Sequence, residues 1–215
     1  MSEPLEQRLA AAPVVPLVQA DDPAVAVRVS RALAAGGLSV IEVVLRSDAA
    51  LDCLAAIDAE LPEVVAGAGT VLDAGQAAEA LAHGARFIVS PGLDREVVAA
   101  AQGARVPVYP GVATATEAMA ARSLGLASVK FFPASIAGGV AALKALGSVF
   151  RDLRFMPTGG IGPGNLAEYL ALPQVLACGG SWLTPANAIA DGDYATLTRL
   201  AREALAIAAQ ARPAH

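Results

Sequence analysis

The segment SVKFFPA, residues 128–134, places one of the chain's two lysines inside an apolar run of β-favouring residues. Val and Phe are typical of strands, and successive side chains of a strand point to opposite faces. Ser128, Lys130 and Phe132 therefore share one face of the predicted strand, while Val129 and Phe131 share the other. Because a buried ammonium is costly unless it is paired or neutralised, we expect Lys130 to be either compensated structurally or used chemically.

This segment is one of eight short β-rich runs along the chain. Each run is followed by a stretch rich in Ala, Glu, Leu and Arg with helical periodicity, and this alternation predicts repeated βα units on a parallel sheet. The runs are PVVPLV (13–18), LSVIEVVL (38–45), VVAGAG (64–69), RFIVS (86–90), VPVYPG (106–111), SVKFFP (128–133), RFMPTGG (154–160) and VLACGG (175–180).

Eight strand–helix units predict an α/β fold of the (β/α)8 or TIM barrel type, with the active site at the carboxyl ends of the strands. Residues 2–11 predict an extra N-terminal helix placed to plug one end of the barrel. We expect residues 1–215 to form a single domain. An open doubly wound sheet stays possible, although it would normally carry a glycine-rich dinucleotide fingerprint after the first strand, where this chain has VQADDP (18–23).

Helix starts are predicted where a capping oxygen or an early acidic charge can satisfy the free N–H groups of the first turn. Such openers follow several of the β-rich runs, at Asp21-Asp22-Pro23, Ser47-Asp48, Asp73 and Thr114.

Composition narrows the possible functions. The formal net charge is −5 and no basic cluster is interleaved with aromatic residues, so we expect no nucleic-acid partner. No apolar run is long enough to span a bilayer and no basic signal segment is visible, so we expect a cytoplasmic protein without a membrane partner. Cys53 and Cys178 form no disulfide framework, which fits a reducing compartment. With His83 and His215 as the chain's histidines, a His-rich metal site is not expected.

Two further charged residues share a face of the second run. In SVIEVVLR (39–46), Glu42 and Arg46 alternate onto the same side, and the opposite side of each strand is apolar enough to pack against helices. By elimination the charged set points inward, so Glu42 could meet Lys130. The pair could merely satisfy itself, or Lys130 could attack a carbonyl with Glu42 as the proton shuttle. Arg46 could be an ordinary surface charge or a carboxylate clamp.

Glycine pairs follow the seventh and eighth runs, at Gly159–Gly160 and at Gly179–Gly180 beside Ser181. Tight βα turns would explain them, yet barrels often bind phosphate at these two loops through backbone N–H groups. Polar residues also fall at strand ends where side chains would face the pocket, although each is more often a cap or turn residue: Thr70, Ser90 and Thr158.

Taken together, these motifs resemble the family of 2-keto-3-deoxy-6-phosphogluconate (KDPG) aldolases, metal-free class I lyases that include 4-hydroxy-2-oxoglutarate (KHG) aldolases. The resemblance covers nearly the whole chain, and VKFFPA (129–134) together with EVVLR (42–46) and GAGTVL (67–72) is its most specific part. It implies a (β/α)8 barrel, a homotrimer, no cofactor, and a phosphorylated 2-keto acid substrate that yields pyruvate.

The same resemblance implies roles for individual residues. Lys130 is similar to the Schiff-base lysine of the family, Glu42 to its acid/base, and Arg46 to the residue that receives the pyruvyl carboxylate. The resemblance places the remaining site residues in two groups: Thr70, Pro91, Phe132 and Thr158 in the substrate pocket, and Gly159, Gly160, Gly180 and Ser181 around the phosphate. Val44 departs from the Thr that is frequent in the family, and Ser135 from a frequent acidic residue.

Three alternatives to KDPG cleavage stay open. KHG could be the main substrate, with the same imine chemistry and no phosphate. The galactonate-derived isomer of KDPG is disfavoured by Thr158, because aldolases for that substrate usually have an apolar residue there. A non-catalytic phosphosugar-binding barrel is disfavoured by the set of Lys130, Glu42 and Arg46, since a binding protein has no use for an imine-forming amine.

Overall fold

The computed structural model describes residues 4–212, which form an α/β fold whose parallel strands make a curled sheet. The strands of this part of the chain are β1 (Val14–Val18), β2 (Val40–Val44), β3 (Val65–Gly69), β4 (Ile88–Val89), β5 (Val108–Tyr109), β6 (Gly111–Val112), β7 (Ser128–Phe131), β8 (Arg154–Pro157) and β9 (Cys178–Gly180).

Helices alternate with the strands, as the sequence pattern predicts. The helices are α1 (Leu5–Ala11), α2 (Pro23–Ala35), α3 (Ala50–Glu60), α4 (Ala74–Ala82), α5 (Arg95–Gly103), α6 (Ala115–Ser123), α7 (Gly139–Val149), α8 (Leu166–Leu170), α9 (Ala186–Ala190) and α10 (Tyr194–Ala211).

All eight predicted runs contain strands, and one of them is divided. The run VPVYPG contains both β5 and β6, which are separated by Pro110. Pro110 has no N–H to donate, and the chain changes partner at this point, since β5 pairs with β4 and β6 pairs with β7. The prediction of one continuous strand over VPVYPG was therefore wrong, and other runs are strand over only part of their length, among them RFIVS, RFMPTGG and VLACGG.

The strands pair in parallel in chain order. One group runs β5-β4-β3-β2-β1-β9 and a second runs β6-β7-β8. Two isolated bridges, Phe155 with Val175 and Thr158 with Gly179, connect β8 to the chain that leads into and forms β9. The two groups of strands therefore meet at β9, which pairs with β1 of the first group and is bridged to the end of β8 in the second.

The two faces of the sheet differ as the alternation of side chains predicts. Val129 and Phe131 are fully buried in the layer between strands and helices. Met156, the neighbour of Lys130 in β8, belongs instead to a separate apolar cluster on the inner face. That inner layer consists of Leu9, Val15, Val40, Phe87, Val89, Tyr109, Met156, Leu176 and Ala177.

Helix α1 covers the end of the sheet where the strands begin. Its Leu9 is buried in the inner layer, and the Arg8 guanidinium donates a hydrogen bond of 2.7 Å to the Glu63 carbonyl. A helix was predicted over residues 2–11; positions 2 and 3 lie outside the described residues, and α1 confirms the rest from Leu5 onward. Burial of Leu9 fixes α1 against the sheet.

Three predicted helix caps are confirmed and one is wrong. Asp22, Asp73 and Thr114 each accept a hydrogen bond from a backbone N–H in the first turn of the following helix. Ser47-Asp48 does not cap α3, whose N-cap is Ala49. The Ser47 hydroxyl instead donates to the Ala20 carbonyl at 2.9 Å and so connects two loops.

Cys53 and Cys178 are both buried as free thiols. Burial raises the pKa of each thiol, which keeps both in the unreactive protonated form. In the described part of the chain, no helix is both long enough and apolar enough to cross a bilayer.

Candidate active site

Lys130 and Glu42 meet inside the curled sheet. The distance from Lys130 Nζ to Glu42 Oε1 is 3.4 Å, and the two residues are only 5% and 1% exposed. They lie on β7 and β2, which are not neighbours in the sheet, so the contact requires the inner faces of these strands to turn toward each other. The inward direction of the charged set, predicted from alternation, is confirmed for this pair.

Two buried polar atoms near this pair have no partner. Within residues 4–212, neither Glu42 Oε2 nor Thr158 Oγ1 makes a hydrogen bond. Burying an unsatisfied polar group costs about 1–3 kcal/mol, so such groups usually serve a ligand, a proton transfer or an ordered water. Glu42 therefore has one oxygen committed to Lys130 and one oxygen available for chemistry.

Glycines in neighbouring strands make room for these side chains. A Cβ atom at Gly69 would overlap the carboxylate of Glu42, and a Cβ at Gly179 would overlap the hydroxyl of Thr158. Glycine inside a strand often marks a close approach of another group. The side chains of Glu42 and Thr158 thus occupy the space that side chains at Gly69 and Gly179 would fill.

Phe132 lies beside the lysine. The centre of its ring is 5.1 Å from Lys130 Nζ, close enough for a cation–π interaction. The ring covers one side of the amine of Lys130, a residue that is 5% exposed. This position agrees with the predicted lining role of Phe132.

Arg46 lines a cavity of about 560 Å³ at the carboxyl ends of β1, β2 and β9. It is the one cationic side chain among the described residues around that cavity, and Ser181 lies on the same wall. Within residues 4–212, the Arg46 guanidinium is exposed and has no ion-pair partner within 4 Å. A free guanidinium in such a cavity can receive a carboxylate with two parallel hydrogen bonds.

Thr70 has an unusual backbone. Its φ angle is +62°, in the left-handed region that β-branched residues rarely adopt. Hydrogen bonds of the two flanking residues hold Thr70 in this conformation. The Gly69 carbonyl accepts from the Leu45 N–H at 2.8 Å, and the Val71 N–H donates to the Val89 carbonyl at 3.2 Å. Strained residues of this kind cluster at functional sites.

Pro91 occupies a different position from the other predicted pocket residues. It lines a smaller cavity of about 240 Å³ after β4 rather than the cavity of Arg46. Its carbonyl lies against Gly111, where any side chain would collide with it. The neighbouring Ser90 donates to the Gly92 carbonyl at 2.7 Å, which fits the turn role that was its alternative interpretation.

The two predicted glycine loops lie side by side, joined by the bridge between Thr158 and Gly179. Gly159 and Gly160 have φ angles of +100° and +74°. Within residues 4–212, neither of their amide N–H groups has a hydrogen-bond acceptor. Free amides in a glycine-rich turn are suitable donors for an anion.

A protein-family model described as KDPG and KHG aldolase matches residues 5–200 of this chain. The chain belongs to the KDPG and KHG aldolase family. It is 48% identical over 200 residues to the KHG/KDPG aldolase of Escherichia coli K12, an alignment that covers 93% of this chain and 94% of the relative.

Solved structures of the KDPG aldolase family superpose closely. The Legionella pneumophila KDPG aldolase, captured with pyruvate as a covalent carbinolamine, has a TM-score of 0.88 and 41% identity, covering 92% of this chain and 96% of that one. The Zymomonas mobilis ZM4 enzyme, solved with 3-phosphoglycerate, has a TM-score of 0.88 and 44% identity, covering 94% and 95%.

Two residues that contact this aldolase's glycine loop were given no role in the site from the sequence. Asn165 accepts a hydrogen bond from Gly162 N–H and donates one to the Gly160 carbonyl, both at 2.9 Å, and so fixes the turn. Ser135 packs its side chain against Gly160. The spacing of Asn165 three residues after Gly162 was the available signal for the first, because Asn favours such local hydrogen bonds. The position of Ser135 had no local signal.

Proposed function

We propose that this aldolase is a class I, Schiff-base enzyme that cleaves KDPG to pyruvate and D-glyceraldehyde 3-phosphate. The observation that carries the proposal is the buried Lys130–Glu42 pair, 3.4 Å apart on the inner face. The pyruvate carbinolamine of the Legionella relative supports the covalent chemistry, and the 3-phosphoglycerate of the Zymomonas relative supports a phosphorylated substrate.

The mechanism begins with the ion pair. Lys130 gives a proton to Glu42, and the neutral amine attacks the C2 ketone of the substrate. Glu42 returns protons to the carbinolamine oxygen, water leaves, and an iminium forms. Loss of the C4 hydroxyl proton to a base breaks the C3–C4 bond, the iminium accepts the electron pair as an enamine, and the aldehyde leaves. Protonation at C3 and hydrolysis then release pyruvate and restore the amine.

Substrate binding uses the residues around this pair. Arg46 receives the carboxylate of the pyruvyl half, and the rest of the predicted set surrounds the chain and phosphate of the substrate. We assign Thr70, Pro91, Phe132 and Thr158 to the pocket, and Gly159, Gly160, Gly180 and Ser181 to the phosphate. The free guanidinium of Arg46 and the free amides of Gly159 and Gly160 support these assignments.

The architecture we propose is one closed (β/α)8 barrel over residues 1–215, with α1 as its N-terminal plug. The two bridges from β8 toward β9 support closure, because β9 also pairs with β1. Family resemblance supports a homotrimer, which sedimentation equilibrium tests directly by the mass of the assembly. The free buried thiols fit a cytoplasmic location.

Metal independence is also part of the proposal. The iminium supplies the electron sink that a metal ion would otherwise provide. In residues 4–212, no group of three or more His, Cys, Asp and Glu side chains converges as a metal site requires. Activity that survives extensive treatment with chelators would support this part of the proposal.

Borohydride trapping tests the central claim. With pyruvate present, reduction is expected to attach a three-carbon adduct to Lys130, located by peptide mass spectrometry. Lys144 is the matched control, because it is exposed on α7 and does not belong to the predicted set of site residues. Lys130→Met should lose both the adduct and cleavage, whereas Lys144→Met should keep both. An adduct on Lys144 alone would refute the assignment of Lys130, and an unmodified protein would favour the non-catalytic alternative.

Substrate choice is tested by comparing kcat/KM for KDPG, its galactonate-derived isomer and KHG. A phosphate site that contributes a few charge-assisted hydrogen bonds should favour the phosphorylated compound over KHG by about 100-fold or more. Equal values for KDPG and KHG would assign KHG as a main substrate instead. Preference for the galactonate-derived isomer would contradict the role given to Thr158.

A further inference from the structure

The loop that follows β7 runs beside the glycine loop that follows β8. Ala134 N–H donates to the Thr158 carbonyl at 2.8 Å, and Ser135 N–H donates to the Gly159 carbonyl at 3.0 Å. These two bonds continue the pairing of β7 with β8 past the ends of both strands. The backbone of Ser135 is therefore held at a fixed distance from Gly159.

The side chain of Ser135 lies against Gly160. A Cβ atom built on Gly160 would overlap both Oγ and Cβ of Ser135, so the serine occupies the space next to that glycine. Within residues 4–212 the Ser135 hydroxyl makes no hydrogen bond, and the residue is exposed. A free hydroxyl therefore adjoins the free amides of Gly159 and Gly160.

We infer that Ser135 is a specificity-determining residue whose hydroxyl donates a hydrogen bond to the phosphate of the substrate. This inference rests on the proposed phosphate site at the glycine loops. It adds a third chain segment to that site, beside Gly159–Gly160 and Gly180–Ser181. A serine hydroxyl can donate to a phosphate oxygen, and bonds to charged acceptors are stronger than bonds between neutral groups.

The contact is remote from the reacting carbons, because it holds the end of the substrate opposite to the ketone. An interaction made equally in the ground state and the transition state changes KM and leaves kcat unaltered. Ser135 should thus act on KM for phosphorylated substrate alone. A residue that merely shapes the loop by packing against Gly160 would not be rescued by Ser135→Thr, which keeps the hydroxyl but enlarges the side chain.

The test compares Ser135→Ala with Ser135→Thr, which keeps a hydroxyl. For KDPG, Ser135→Ala is expected to raise KM about five- to tenfold with kcat unchanged, the loss of roughly one charge-assisted hydrogen bond at an exposed site. Ser135→Thr should restore most of the affinity. Competitive inhibition by inorganic phosphate should weaken by a similar factor in Ser135→Ala, while kinetic constants for KHG stay unchanged in both variants.

Two controls separate the possible failures. Ser123→Ala removes a surface hydroxyl that bonds the Ala120 carbonyl on α6 and should change nothing. Ser181→Ala tests the phosphate site itself. If Ser181→Ala raises KM for KDPG and Ser135→Ala does not, the inference about Ser135 is wrong and the phosphate site stands. If neither variant changes KM, the phosphate site is wrong, and equal losses on KDPG and KHG would show a structural role for Ser135.

Discussion

The two carboxylate oxygens of Glu42 have different surroundings. Oε1 contacts the ammonium of Lys130, while Oε2 is buried and has no partner within residues 4–212. An ion pair at this depth contributes little net stability, because desolvation of both charges offsets their attraction. In the proposed mechanism the pair serves chemistry, since Glu42 Oε1 lies 3.4 Å from Lys130 Nζ and can accept its proton.

Glu42→Gln tests this division. The amide keeps the size of the side chain but neither accepts the lysine proton nor delivers one to the carbinolamine. We expect kcat for KDPG to fall by about 10²- to 10⁴-fold, with far-UV circular dichroism unchanged. Exchange of the methyl protons of pyruvate with D₂O, followed by NMR, should slow in parallel. Unaltered exchange would mean that another group moves the protons.

Gly69→Ala tests the space around the same carboxylate. The added methyl group would overlap Glu42, so the carboxylate must move away from Lys130. We expect a loss of kcat of at least tenfold, since catalytic groups displaced by about 1 Å act poorly. Gly103→Ala is the matched control: its Cβ would meet nothing within 4 Å, at the end of α5. That variant should keep full activity and gain up to about 1 kcal/mol of stability.

Among the helices, α6 has the most complete N-terminal cap. Thr114 accepts from the Glu117 N–H, and Glu117 accepts in return from the N–H groups of Ala113 and Thr114. The hydrogen bond from Ala113 N–H is the main cause that lowers the pKa of Glu117 below its usual value of 4.5. The contribution of this carboxylate is therefore present above pH 4.5 and disappears as the pH falls through the lowered pKa.

Chemical denaturation of Glu117→Gln across pH measures this contribution. At neutral pH the variant should be less stable than the parent by about 0.5–1 kcal/mol, a small value because the cap lies near the surface and Glu117 is half-buried. The difference should shrink as the pH falls below 4.5 and the parent carboxylate becomes protonated. A difference that stays constant down to pH 3 would assign the effect to packing of the side chain.

Local sequence patterns predicted much of the fold. Alternation of side chains placed Lys130 and Glu42 on inward faces, and turn chemistry placed the caps at Asp22, Asp73 and Thr114. The break at Pro110 could not be predicted from the missing N–H alone, because Pro16 lies inside β1 without interrupting it. The hydrogen bond from the Ser47 hydroxyl could not be predicted either, because its acceptor at Ala20 lies 27 residues earlier and the contact depends on how two loops meet.

The site was predictable to the extent that it lies on strands. Strand parity fixes direction, so the Lys130–Glu42 contact followed from the barrel hypothesis. Contacts between loops carry no such periodicity. The packing of Ser135 against Gly160, and the separate cavity at Pro91, depend on the distances between strand ends across the sheet. Thr70 was expected at a strand end, but its left-handed backbone has no signal in its residue type.

The reactivity of the two buried thiols measures how readily the core of the folded protein opens to solvent. Cys53 and Cys178 are 1% and 0% exposed, and burial raises the pKa of both. We expect a thiol reagent at pH 8 to label neither cysteine in the native protein and both in concentrated guanidinium chloride. Rapid labelling without denaturant would show that the layer between strands and helices opens readily. The labelling rate of partly unfolded samples would then order the two positions by local stability.

Helix α1 has a consequence for the order of events during turnover. Leu9 and the inner apolar layer fill the end of the sheet where the strands begin. We therefore expect substrate and products to enter and leave at the opposite end of the sheet, where the cavity lined by Arg46 opens. In the proposed mechanism pyruvate is bound covalently to Lys130, which is buried whereas Arg46 is exposed, so the aldehyde lies between pyruvate and solvent. In the cleavage direction the aldehyde should therefore leave before pyruvate. In the reverse direction pyruvate should bind before the aldehyde, which is an ordered kinetic mechanism.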